Sequence, residues 1–240
     1  MLKRFPKILL SIMTIGYIFA FFGLITPGMF LYGLIGLAVG GTLTILNVTS
    51  SEYRATKALN TSRKFIEKEN VEKAVSMVLT SVSLYNNEET VYTFFSKPFK
   101  NKKALNGVAK KLYSLLKDND TPYFRYVVSC FLYAAGDVKK IVPLLEEIPE
   151  EKRTIKMARL LGSVLVDLQD FDRAVEVFKE FDPPYIPIIE DELAIVYGIG
   201  VSYLAMGNKE KGIEYLTRVE ARSPRFGNVA KILDELEKSE

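Results

Sequence analysis

The chain of 240 residues carries 32 Lys and Arg against 29 Asp and Glu, with no histidine, no tryptophan and one cysteine. Zinc, haem, Cys/His-nucleophile and disulfide-scaffold chemistries therefore lack raw material, because histidine is the commonest general base and metal ligand and Cys130 alone closes no internal bridge. Lys3, Arg4 and Lys7 account for the excess of positive charge, so the rest of the chain is neutral and lacks the surplus with which nucleic-acid binders grip phosphate. No nucleic-acid partner is expected.

From Ile8 to Ser51 no side chain is charged. The run is too long for one core helix of a water-soluble domain and suits two membrane crossings of about 20 residues each. Thr26-Pro27-Gly28 is the natural reversal, since proline removes a donor and restricts its predecessor while glycine tolerates a tight turn. Residues 1–51 are thus predicted to form a membrane hairpin, with helices at about 8–25 and 29–48. A cleaved leader fits less well, because Ile18 to Phe22 offers no small-x-small site and apolar sequence follows. Gly33, Gly36, Gly40 and Gly41 either pack helices closely or are simply tolerated in the second crossing. Lys3, Arg4 and Lys7 before the run, and Arg54, Lys57, Arg63 and Lys64 after it, favour both ends inside, whereas a single bent or re-entrant crossing would put the large domain on the other face. The expectation is a multi-pass inner (plasma) membrane protein with a cytoplasmic domain.

Beyond Glu52 the pattern is helical throughout. Three stretches superimpose: Ser129 to Leu145, Gly162 to Phe178, and Gly200 to Leu216. Each reads as an apolar helix, a short polar turn and an amphipathic helix. Gly200, Tyr203, Gly207, Gly212, Leu216, Val219 and Pro224 resemble the small, aromatic, turn, small, large, small and terminal-proline positions of the tetratricopeptide repeat. Gly162, Leu165, Phe171, Ala174 and Phe178 match in the middle copy. The family's tryptophan is absent, Ile141 replaces a small residue and Val219 is large, which marks the copies as divergent. A weaker copy spans Ser62 to Ala74, and Ala104 to Leu116 supplies the second helix of another, with Val108, Leu112 and Leu115 on one face. The predicted organisation is divergent helical repeats over 52–121, three tetratricopeptide-like repeats over 122–226 and a capping helix over 227–240. Val229, Ile232, Leu233 and Leu236 share one side of that last helix. Asp182 to Pro187, with three prolines, reads as a stiff linker. The fold class is all-α, a membrane hairpin followed by an α-solenoid of stacked helix pairs.

No phosphate loop, dinucleotide fingerprint or nucleophile elbow is present. Glu146/Glu147, Glu150/Glu151 and Asp191/Glu192 read as solvated carboxylates; Asp167, Asp170 and Asp172 lack the glycine and glutamate of a calcium loop. Cys130 reads as an inert core thiol. No cofactor, metal or catalytic residue is expected.

In the tetratricopeptide family the first helix of each repeat lines a groove for peptides. Carried over by position, the resemblance implies a partner-binding groove of Tyr123, Tyr126, Tyr133, Lys156, Arg159, Ser163, Tyr197 and Val201. Tyrosines beside two cations suit an acidic peptide, although ordinary inter-helix packing is an equal reading of the same residues. The expected role is a non-catalytic, membrane-anchored scaffold or adaptor that holds protein partners. The alternative is an accessory subunit of a transport or envelope-assembly complex, with the hairpin packed on other membrane helices. Self-association stays open.

Overall fold

The computed structural model describes residues 50–238, so the hairpin expected at 8–25 and 29–48 lies outside the described residues. These contain eleven α-helices and no strand: α1 (Ser51–Glu67), α2 (Val71–Leu84), α3 (Glu88–Phe95), α4 (Lys102–Ser114), α5 (Pro122–Ala135), α6 (Ile141–Glu146), α7 (Ile155–Asp167), α8 (Phe171–Lys179), α9 (Glu190–Ala205), α10 (Lys209–Arg222) and α11 (Val229–Glu237). Among the described residues no helix is long and apolar enough to cross a membrane. They form two compact units, one of 50–63 with 76–87 and one of 64–75 with 88–238. In the first, Ala55, Ala58, Leu59, Ser62, Val78 and Ser81 are buried, and the Ser62 hydroxyl donates back to the Leu59 carbonyl at 2.6 Å. The second unit carries everything described below.

Local chemistry fixes the helix starts. Thr121 accepts from the Phe124 amide at 3.1 Å with Pro122 in the first turn of α5. Asn101 does the same for Ala104 at 2.9 Å, and Asn208 for Lys211 at 3.2 Å. Each side chain satisfies an amide that the helix leaves unpaired.

The turns repeat. Glu69, Gly136, Gln169 and Gly207 all have positive φ, at 58°, 86°, 63° and 81°. After each, the next amide reaches back to a carbonyl five residues earlier: Asn70 to Phe65, Asp137 to Leu132, Asp170 to Leu165 and Asn208 to Tyr203, all at 2.8–2.9 Å. This is the left-handed C-terminal cap that satisfies two orphan carbonyls and reverses the chain. Glycine adopts that conformation freely, whereas Gln169 carries a Cβ penalty. Gln169→Gly is therefore expected to raise stability by about 0.5–1 kcal/mol, checked by urea denaturation of the full chain in detergent. Five residues beyond each turn residue, Ala74, Ile141, Ala174 and Gly212 are all buried.

The stack is held by side chains seated against missing ones. Phe178 on α8 is 2% exposed, and its ring lies between Gly162 on α7 and Gly198 on α9. A Cβ at either glycine would meet the ring well inside van der Waals contact. Gly200 similarly receives Leu216 of α10, and Gly212 receives Leu204 of α9. The Gly198-Ile199-Gly200 segment is thus a packing device within a helix. At the end of the chain, α11 lays Val229 and Leu233 on Leu193, Val196, Leu216 and Val219, with Ile232 half-buried beside them.

Candidate functional site

Helices α3, α5 and α7 together with the segment 96–101 and the start of α4 enclose a cleft of about 520 Å³. Its apolar wall is built by Phe95, Pro98, Phe99, Leu105, Ala134 and Leu160. The aromatic residues are locked by one another: Phe95 meets Phe94 and Phe131 edge-on at 4.9 Å, and Phe94 meets Phe99 at 5.4 Å. Such edge-to-face pairs add rigidity beyond simple burial. The irregular segment is pinned at its base, where the Lys100 amide donates to Glu67 at 3.0 Å and the Asn101 side chain to Glu69 at 3.1 Å.

A charge cluster closes one side of the cleft. Asp191, at the start of α9, is 7% exposed and takes Lys156 Nζ on one oxygen and Arg159 Nη1 on the other, both at 2.9 Å. Glu89 adds a second partner for Lys156 at 3.3 Å, and Glu190 one for Arg159 at 3.6 Å. The Tyr92 hydroxyl donates to Glu190 at 2.7 Å, while both cations lie over its ring, Lys156 at 4.6 Å and Arg159 at 5.0 Å. Beside them Thr154 donates to Glu88 at 2.8 Å. Helices α3, α7 and α9 are joined by this cluster.

The titration of the cluster follows from its geometry. Burial pushes the Asp191 carboxyl up, but the hydrogen bonds and charges of Lys156 and Arg159 outweigh it and hold the pKa below the usual aspartate value. Burial pulls Lys156 down, and Asp191 with Glu89 reverses this, leaving its pKa above the ordinary lysine value. Glu88 is raised by burial, partly offset by the Thr154 hydrogen bond. Asp191 is therefore not the solvated carboxylate its sequence neighbours suggest; two cations from α7 make its burial tolerable. Glu192 acts as a cap, its carboxylate accepting from the Ile188 and Ile189 amides at 2.7 and 3.2 Å.

Five of the eight expected groove residues line this cleft: Tyr126, Tyr133, Lys156, Arg159 and Ser163. Tyr126 is 3% exposed, one helical turn before Cys130, so it forms wall rather than rim. Tyr133 is exposed and sits 3.4 Å from the Asp167 carboxylate. Tyr123, on the same helix, is buried and does not line the cleft. Tyr197 and Val201 lie at the far end of the unit: Tyr197 donates to the Gly227 carbonyl at 2.9 Å and meets Phe226 edge-on, and Val201 packs on the α9–α11 core. The two cations expected to face an acidic peptide are already matched by carboxylates of the same chain. Sequence reasoning passed over Tyr92, Phe95, Phe99 and Leu105, although three phenylalanines around Pro98 signalled an irregular aromatic element.

Cys130 lines the cleft, with burial pushing its thiol up to about 12. The thiol stays protonated at neutral pH and is a poor nucleophile. Iodoacetamide at pH 8 is expected to alkylate it roughly a thousandfold more slowly than an unperturbed cysteine, as followed by intact-mass spectrometry before and after denaturation. Among the described residues no group of acidic or sulfur side chains is placed to hold a metal ion.

A tetratricopeptide repeat family model matches residues 193–226, the stretch from α9 through the Gly207 turn and α10 to Phe226. No curated protein matches the chain. Over residues 193–226 the chain is similar to a tetratricopeptide repeat, set within an all-α, tetratricopeptide-like domain of a kind that supports protein interaction.

Proposed function

We propose that this chain is a membrane-anchored, non-catalytic scaffold whose aromatic cleft receives an apolar segment of a protein partner. The cleft itself carries the reading. It is preformed, of a size that holds a few side chains, and the Lys156, Arg159 and Asp191 charges beside it are matched to one another, which favours fit over catalysis. The repeat match at 193–226 and the recurring turns at 136, 169 and 207 support three tetratricopeptide-like units over 122–226. The uncharged run from Ile8 to Ser51 supports the anchor, and its basic flanks a cytoplasmic domain. Tethering raises the effective concentration of whatever the cleft holds.

Two measurements test it. Crosslinked pull-down from native membranes with the full chain and with Ala134→Phe, which fills the cleft from its half-buried edge, should recover a partner only with the former. Equal recovery removes the cleft from the function. Sedimentation of lysed cells without detergent should carry the chain into the membrane pellet; recovery in the supernatant removes the anchor.

A further inference from the structure

The segment between α8 and α9 exposes a row of large apolar side chains: Tyr185 at 50%, Ile186 at 53%, Ile188 at 62% and Ile189 at 48%. Loops seldom present four of these together, and this one is held firmly in place. Arg218 donates to the carbonyls of Pro183 and Tyr185 and pairs with Asp182 at 3.1 Å. Tyr215 donates to Asp182, also at 3.1 Å, and the Tyr185 hydroxyl to Glu192 at 3.1 Å. With the Ile188 and Ile189 amides capped by Glu192, the backbone is tied on both sides while the aliphatic side chains stay in water. An apolar prong fixed in advance loses little entropy on docking.

The prong and the cleft lie on neighbouring ground. Glu190, the residue after Ile189, binds Tyr92 and Arg159, which both line the cleft. A donor patch and an acceptor patch side by side are what a two-fold contact needs, since each copy can then offer its prong and receive the other's. The charges agree. The prong is flanked by the Glu190 carboxylate, which is 62% exposed, and the cleft lining includes the exposed Lys102. Four half-exposed side chains make a patch on the order of 400 Å². One prong and one cleft wall from each copy then reach about 800 Å² per partner, the area of a specific interface.

We infer that two copies of this chain associate about a two-fold axis, the Tyr185–Ile189 prong of each seated in the aromatic cleft of the other. This goes further than the scaffold reading and shares its cleft, so a partner segment and the second copy compete for one place.

The test uses the full chain in nanodiscs of neutral lipid, two per disc, with a photo-crosslinking amino acid at position 188 and a mixture of ¹⁵N-labelled and unlabelled copies. Illumination is expected to give a covalent dimer whose mixed-isotope peptides join the prong to Lys97–Leu105 or Tyr126–Ala134. Ala134→Phe should cut the yield at least tenfold with an unchanged helical circular dichroism spectrum, as should Ile186→Asp with the probe moved to position 189. Crosslinks to lipid, crosslinks elsewhere on the chain, or no dimer overturn the inference. If a partner is still captured through the cleft in that event, the scaffold reading stands without it; a dimer without capture leaves the inference standing alone.

Discussion

Phe178→Ala is expected to destabilise the 64–75/88–238 unit by about 3–5 kcal/mol, the cost of removing a fully packed aromatic ring whose surroundings relax only in part. The site gives reason to place it high in that range. The ring is the shared filling between α7 and α9, wedged between Gly162 and Gly198, so its loss opens two interfaces at once. With about 2–4 °C of melting temperature per kcal/mol for a domain of this size, thermal unfolding should begin at least about 6 °C lower. Gly162→Ala and Gly198→Ala are expected to destabilise from the opposite direction, by forcing the ring to move. Combining Gly162→Ala with Phe178→Leu should cost less than the sum of the separate changes, because the smaller side chain makes room for the added methyl. Strict additivity would show that ring and glycine do not share one space.

Asp191→Ala is expected to cost about 3 kcal/mol, chiefly because it leaves Lys156 and Arg159 partly buried without their central counter-charge. Asp191→Asn keeps the shape and removes the charge, so it should lose nearly as much. Adding Lys156→Met to Asp191→Asn should recover part of the loss, since a buried charge and its opposite are then deleted together. The dependence on pH has a definite sign. The folded-state pKa of Asp191 lies below its unfolded value, so its contribution is complete above the unfolded carboxyl range near pH 4 and is lost as pH falls through the folded pKa. Lys156, raised in the folded state, contributes fully below its unfolded pKa near 10.5 and loses that contribution as pH rises past the folded value. The gap in stability between the native chain and Asp191→Asn should therefore stay level through neutral pH and narrow below about pH 4. A gap that persists unchanged at pH 2.5 would contradict the ion cluster.

Periodicity carried the helical architecture well where a repeat buries alternate faces of successive helices. Gly200, Gly207, Gly212 and Leu216 could be assigned packing and turn roles in advance because each occupies a position that steric contact dictates, and the family match falls on that stretch. Val229 and Leu233, spaced to share one side of a helix, both pack on the core of α9 and α10. The cleft was only half legible. Tyr126, Tyr133, Lys156, Arg159 and Ser163 share it because position within a first helix sets which way a side chain faces. Its other half comes from α3, only eight residues long, and from the aperiodic stretch Ser96 to Asn101, where contacts among rings decide the path. Asp191 was misjudged because local sequence shows an acidic helix start, whereas the cations that bury it lie 32 and 35 residues away. Tyr197 and Val201 fell elsewhere because they pack against the core that α9 and α10 share with α11.

The interval between Ala174 and Gly212 is five residues longer than that between Ile141 and Ala174, and the surplus falls at Asp182–Ile189. Extra length between stacked pairs is ordinarily slack, a place where a solenoid pivots or a protease finds purchase. Here Arg218, Tyr215 and Glu192 stitch the surplus to α9 and α10. The last helix pair is consequently denied a hinge, and the added residues serve as a brace that keeps bending motion out of this joint.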